Sequence, residues 1–170
     1  MEMRKADRAD LPRIMELIIQ ARGFLKAQGV NQWQDGYPEM SDLERDVDSG
    51  IGYVLLDDGR IMGYTAIDFR GEPAYGTLQG KWLNEDSYAV IHRMAVDNTV
   101  KGKGLAQAMF RQAEAMARAR GVENVRVDTD EGNKIMRHII AKEGYTFCGH
   151  ITFACSDKIA FQKYLGRARH

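Results

Sequence analysis

YAVIHRMAVDNTVKGKGLA, residues 88–106, decides how the chain is read. Tyr88 to Val96 is a nearly continuous apolar run, the pattern of a strand covered on both faces. Asp97 to Gly104 is polar and holds two glycines, so it is a turn. From Leu105 the period changes. Leu105, Ala106, Met109, Phe110, Ala113, Met116 and Ala117 fall on one helical face, and Gly121 ends that helix. The segment is therefore strand, glycine turn, helix.

Outward toward the C-terminus, Val125 to Asp128 reads as a short strand. Asp130 is placed to cap a helix that runs to about Glu143 and stops at Gly144, and Tyr145 to Phe153 is a strand. The period leaves Ile159 to Leu165 undecided between strand and helical turn. Toward the N-terminus, Ile61 to Phe69 and Tyr53 to Leu56 flank Asp57-Asp58-Gly59-Arg60, a tight turn, and form an antiparallel hairpin. Residues 70–87 read as loop. Ser41 with Glu44 has the spacing of a capping box for a helix ending near Gly50. Asp10 is placed to cap a helix carrying Leu11, Ile14, Met15, Ile18, Phe24 and Leu25, and Gly29 closes it. Residues 2–6 are extended. The order β-α-α-β-β-β-α-β-α-β, with a final segment open, predicts an α/β (α+β) chain. Its single mixed, mostly antiparallel sheet carries helices on both faces. No domain boundary is visible, so residues 1–170 read as one domain.

The bulk numbers narrow the function. The 170 residues are 44% hydrophobic and 28% charged, with 24 basic and 24 acidic side chains. A formal net charge of zero offers no electrostatic basis for nucleic-acid or membrane-surface binding. The N-terminus is charged and lacks the apolar core of a signal peptide, and no run is long enough to span a bilayer. Cys148 and Cys155 fit no zinc or redox spacing and read as packing residues in a reducing, cytoplasmic setting. No metal is expected.

A helix N-terminus leaves N–H groups without partners and carries partial positive charge. Glycines before it remove the Cβ atoms that would keep a ligand away. The backbone of Lys101, Gly102, Lys103, Gly104, Leu105 and Ala106 is thus built to accept a diphosphate, and Lys101 and Lys103 add charge. The same residues also suit a plain strand-to-helix turn. Neither a dinucleotide fingerprint nor a Walker loop fits, because Gln107 and Leu105 stand where those motifs need glycine and Lys-Ser/Thr.

Thr99-Val100-Lys101-Gly102-Lys103-Gly104, followed by Asn133-Lys134-Ile135-Met136 and Lys142-Glu143-Gly144-Tyr145, resembles the motif set of the GCN5-related N-acetyltransferases, the GNAT family. The resemblance covers nearly the whole chain and is strongest from Tyr88 to Gly149. Thr99 stands where the family has Gln or Arg. The resemblance implies the GNAT fold, with acetyl-CoA as cosubstrate and a primary amine of a small molecule or peptide as acceptor. It also implies direct transfer through a ternary complex. The backbone of Met94, Ala95 and Val96 would pair with the pantetheine arm, and Lys101 to Ala106 would hold the pyrophosphate. Asn133 and Met136 would lie by the thioester. His92, on the same strand, is the candidate base, since an imidazole titrates near neutral pH. Asp68 is a weaker candidate. The family's tyrosine acid would fall at Ile140, which cannot donate a proton. Tyr145, Tyr88 or water stay open as substitutes, and so does a non-catalytic acyl-CoA sensor. Trp33 and Tyr37, with Trp82 as a further candidate, would build the acceptor site or anchor its loop. A homodimer also stays open.

Overall fold

The computed structural model describes residues 1–100, 102–153 and 156–166. Its strands are β1 (Glu2–Lys5), β2 (Gly52–Asp57), β3 (Arg60–Asp68), β4 (Gln79–Gly80), β5 (Ala89–Val96), β6 (Asn124–Asp130), β7 (Thr146–Phe153) and β8 (Ser156–Tyr164). The helices are α1 (Leu11–Ala27), α2 (Met40–Asp48), α3 (Leu105–Ala119) and α4 (Lys134–Lys142). The strands form a mixed sheet in the order β1-β2-β3-β5-β6-β8-β7-β4. β5 and β6 are parallel, as a strand–helix–strand connection through α3 requires. The pairs β1–β2, β2–β3, β6–β8, β7–β8 and β4–β7 are antiparallel. The mixed sheet expected from sequence is present, and the open C-terminal segment is strand β8.

The chain forms two compact units, Met1–Ile67 with Arg93–Met109, and Asp68–His92 with Phe110–His170. In the first, Leu11, Ile14, Leu17 and Ile18 of α1 pack with Leu43, Val54, Tyr64 and Ala95. Full burial of such side chains stabilises by about 1.5–3 kcal/mol each. A second cluster joins Leu55 and Met62 to Leu105 and Met109 of α3. Gly63 permits that approach, since a Cβ there would lie 3.1 Å from the Met109 sulfur. The β2–β3 turn places Asp58 at φ 50° and Gly59 at φ 74°, the doubly left-handed turn that suits a twisted hairpin.

In the second unit Tyr75, Trp82, Val90, Cys148, Ile151 and Ala160 form the core. The Arg126 guanidinium lies 3.9 Å from the ring centroids of both Trp82 and Tyr88. It also donates to Gln162 Oε1 and to the Asn84 carbonyl. The loop expected over 70–87 is thereby ordered, and it contains a 3-10 turn (Pro73–Thr77) as well as β4.

Three caps differ from the sequence expectation. Asp10 occupies the N-cap position of α1, as expected, but its side chain makes no cap hydrogen bond. Its carboxylate takes Arg4 and the Asp7 amide, and Asp7 caps a preceding 3-10 turn. The box before α2 is Glu39 with Asp42, two residues ahead of Ser41 with Glu44. The cap of α4 is Asn133, because β6 continues through Asp130. In each case several small polar residues crowd the boundary, and the spacing rule does not choose among them.

Gly80 and Gly149 face each other where β4 meets β7, at φ 149° and 151°. A Cβ on Gly149 would lie 2.2 Å from the Gln79 carbonyl oxygen. Gly149→Ala should therefore detach β4 and destabilise by about 1–3 kcal/mol, read as a lower urea midpoint. Gly76→Ala, where a Cβ meets nothing within 4 Å, should change stability by less than about 0.5 kcal/mol.

Candidate active site

The glycine turn is held in place from behind. The Asp97 amide donates to the Met62 carbonyl at 2.8 Å, and the Asp97 carboxylate accepts from Arg13 at 2.6 Å. Its other oxygen accepts from the Thr99 amide at 2.8 Å and hydroxyl at 2.6 Å. Thr99 thus anchors the turn to Asp97. The Thr99 hydrogen bonds hold the Asp97 carboxyl below the usual range against the effect of burial, with Arg13 adding to them. Gly102 and Gly104 adopt φ 77° and 65°. A Cβ on Gly102 would meet nothing within 4 Å, and one on Gly104 would meet only Gln107 Oε1 at 3.8 Å. Leu105 and Ala106 are buried and open α3. The Lys103 ammonium is not directed at the turn. It pairs with Asp57 at 2.8 Å, which raises its pKa. Lys101 lies outside the described residues.

β5 carries a local break. Arg93 has φ 51° in mid-strand. The parallel ladder with β6 runs from Ala89↔Val125 to Ile91↔Val127 and ends there. Met94, Ala95 and Val96 follow the break. The Ala95 side chain is buried, and Met94 and Val96 pack against Leu55, Met62, Leu105 and Met109. The Arg93 guanidinium grips Asp46 of α2 at 2.7 and 2.5 Å and donates to the Tyr37 hydroxyl at 2.8 Å. Tyr64 donates to the same Asp46 carboxylate at 2.6 Å. Tyr37 is 42% exposed and its loop is tied to α1, with Arg22 donating to the Pro38 carbonyl. Trp33, at φ 65°, packs on the α1 core and anchors the loop.

In the other unit, the Asp68 carboxylate accepts from the Arg70 amide and guanidinium at 2.8 to 2.9 Å. Burial works to raise its pKa, but Arg70 and, more weakly, His92 bring it below the usual carboxylate value. Asn133 is buried and caps α4, its Oδ1 accepting from the Met136 amide at 3.1 Å. Met136 is half-buried beside it. Ile140 is fully buried. Tyr145 donates to Glu114 at 2.9 Å inside the core, and burial with that carboxylate pushes its pKa up, so its proton is committed. Tyr88 accepts from the Glu72 amide and stacks near Tyr75. Trp82 is buried and donates to the Tyr75 carbonyl. Burial raises the Cys148 thiol, as suits a packing residue. Cys155 lies outside the described residues. Among the described residues no group of three His, Cys, Asp or Glu side chains could hold a metal. None of the described helices is long and apolar enough to cross a membrane.

A family model for the acetyltransferase (GNAT) family matches residues 13–145. The chain belongs to the GNAT family. A GNAT acetyltransferase from Streptococcus agalactiae is 33% identical with a TM-score of 0.89, over 98% of this chain and 96% of its own. An acetyltransferase from Staphylococcus aureus is 25% identical with a TM-score of 0.75, over 98% and 100%. A Salmonella typhimurium structure holding acetyl-CoA shares the fold at 16% identity, TM-score 0.69, over 100% and 96%. No curated protein matches the chain.

Two features of this GNAT chain escaped the sequence reading. One is the Asp46–Arg93–Tyr37 clamp. The other is Asp128, at the end of β6, whose carboxylate accepts from the Tyr75 hydroxyl at 2.7 Å. Burial pushes Asp128 up to about 6, while the Tyr75 hydrogen bond works the other way. No motif marks either feature, since both join residues far apart in sequence.

Removing Asp46 leaves a guanidinium buried without its counter-charge. Asp46→Ala should cost about 3–5 kcal/mol, measured by denaturant unfolding. Asp128 acts on stability with the opposite sign from Asp68 and Asp97. Their depressed pKa values add stability that is lost as pH falls below the carboxylate range. The raised pKa of Asp128 removes stability as pH climbs through about 6. Asp128→Asn should therefore raise the unfolding midpoint at pH 8 and have little effect at pH 4.

Proposed function

We propose that the chain transfers the acetyl group of acetyl-CoA to a primary amine of a small molecule or peptide, both substrates being bound together. The observation that carries this is the turn at Gly102 and Gly104. Two left-handed glycines with open space at their Cβ positions lead directly into the N-terminus of α3. Family membership supports acyl-CoA as the donor, and the Salmonella relative holds acetyl-CoA.

In this reading the amides from Lys101 to Ala106 receive the pyrophosphate. The backbone of Met94, Ala95 and Val96, past the break at Arg93, pairs with the pantetheine arm as an added strand. Asn133 fixes the start of α4 and Met136 lines the thioester. An alkylamine has a pKa near ~10 and arrives as its ammonium. His92 accepts that proton, directly or through a water. The neutral nitrogen then bonds to the acetyl carbon, backbone N–H groups of β5 stabilise the oxyanion, and the carbon–sulfur bond breaks. The nitrogen gives up its second proton to water, and coenzyme A leaves as a thiolate that takes a proton back from water, because Ile140 and the committed Tyr145 offer none. A covalent acyl-cysteine has no support in the buried Cys148. Trp33 holds the acceptor loop, and Tyr37 faces the acceptor.

The absent tyrosine favours one second reading, an acyl-CoA sensor without turnover. Thiol release from acetyl-CoA across a panel of polyamines, amino acids and peptides separates the two. Amine-dependent release supports transfer, and binding without release supports the sensor. Gly104→Val should abolish acetyl-CoA binding by calorimetry, since a branched residue at φ 65° is strained and fills the ligand's space. His92→Ala should lower the rate on the order of 10²-fold, with acetyl-CoA affinity nearly unchanged.

A further inference from the structure

Among the described residues, the buried carboxylates are Asp10, Asp46, Asp68, Asp97 and Glu114. Each has a cation of its own: Arg4, Arg93, Arg70, Arg13 and Lys163, at 2.5 to 3.0 Å. A carboxylate withdrawn from water without such a partner is costly, so this pairing is what physics demands. Asp128 departs from it. It is withdrawn enough for its pKa to rise to about 6, yet no ion pair forms on it among the described residues, and its hydrogen-bond donor is the neutral Tyr75 hydroxyl. Lys158, the cation whose charge it feels, sits on Asp130 at 3.7 Å. Glu72 adds negative charge from the loop.

The position of Asp128 gives this departure a meaning. The β5–β6 ladder ends at Ile91↔Val127. His92 and Asp128 are the next residues on the two strands, at the carboxyl end of a parallel pair, where ligands of α/β sheets are received. Asp68, near His92, is already satisfied by Arg70. Asp128 is thus the half-buried anion at this end of the ladder that still lacks a cation. An alkylammonium acceptor supplies one.

We infer that Asp128 is the carboxylate that receives the acceptor's ammonium group, oriented by Tyr75. The inference rests on the reading of the chain as an amine acetyltransferase, and it makes the acceptor a cation. Asp128 pairs with the ammonium, the proton passes from nitrogen to His92, and the neutral amine attacks. The charged and titratable groups that act on Asp128 are Tyr75 and Glu72 from the loop and Lys158 from β8, and His92 is the next residue of β5 past the ladder's last pair.

The test uses initial rates of thiol release with acetyl-CoA and the best amine of the panel, beside calorimetry with acetyl-CoA alone. Asp128→Asn keeps shape and removes a buried charge, so it should fold. It should raise KM for the amine on the order of 10- to 100-fold, as loss of a charged hydrogen bond does, with acetyl-CoA affinity unchanged. Wild-type kcat/KM for the amine should fall as pH drops through the carboxyl's titration. In Tyr75→Phe that fall should move to higher pH, because the hydroxyl that favoured the anion is gone. A purely structural Tyr75 would lower the rate without moving the profile. An Asp128→Asn enzyme with wild-type amine KM, or with equally weakened acetyl-CoA binding, would overturn this inference and leave the transfer reading standing. A wild type that releases no thiol with any amine would remove the transfer reading itself, and this site with it.

Discussion

Arg93 adopts a backbone conformation that a strand residue keeps only when something holds it there. A non-glycine residue at positive φ costs on the order of 1–3 kcal/mol. Here the restraint is its own side chain, clamped on Asp46, which is fixed in turn by Tyr64. The break falls two residues past the last β5–β6 pair and just before the backbone that the family's chemistry would use. Helix α2 therefore has a reason to exist beyond covering apolar surface: it carries the carboxylate that stabilises the bend. Tyr37 joins the same guanidinium, so its loop and the later half of β5 share one anchor.

A comparable long-range arrangement fixes Tyr75. The loop between β3 and β5 has little regular structure. It is ordered because Arg126, rising from β6, lies between Trp82 and Tyr88 and donates to the Asn84 carbonyl. Cation–π contacts of a desolvated arginine are worth about 2 kcal/mol. With that scaffold Tyr75 is buried and its hydroxyl meets Asp128. The carboxylate's unusual state thus depends on a loop that carries no periodic signal.

The elements with strong periodicity were legible. The apolar stripe of α3, the alternation around Asp58-Gly59 and the apolar run of β5 all express themselves within a dozen residues. So did the glycine turn, because φ near 65–77° at Gly102 and Gly104 is a local demand. Helix starts were read less well, since Asp7, Asp10, Glu39, Ser41, Asp130 and Asn133 are chemically able to cap and tertiary contacts choose among them. The direction of Lys103 was unreadable because its partner, Asp57, is 46 residues away. Strand β4, two residues long and held by a Gly–Gly contact, left no pattern to find.

The ion pair between Lys103 and Asp57 bears on how a ligand would be sensed from a distance. With that ammonium neutralised by a neighbouring carboxylate, the described part of the turn presents oriented amide dipoles rather than a bare charge. Dipole fields fade faster than those of ions, so this part would discriminate by shape at close range and attract stray anions weakly. Docking there would depend less on ionic strength than it would at a lysine-lined pocket.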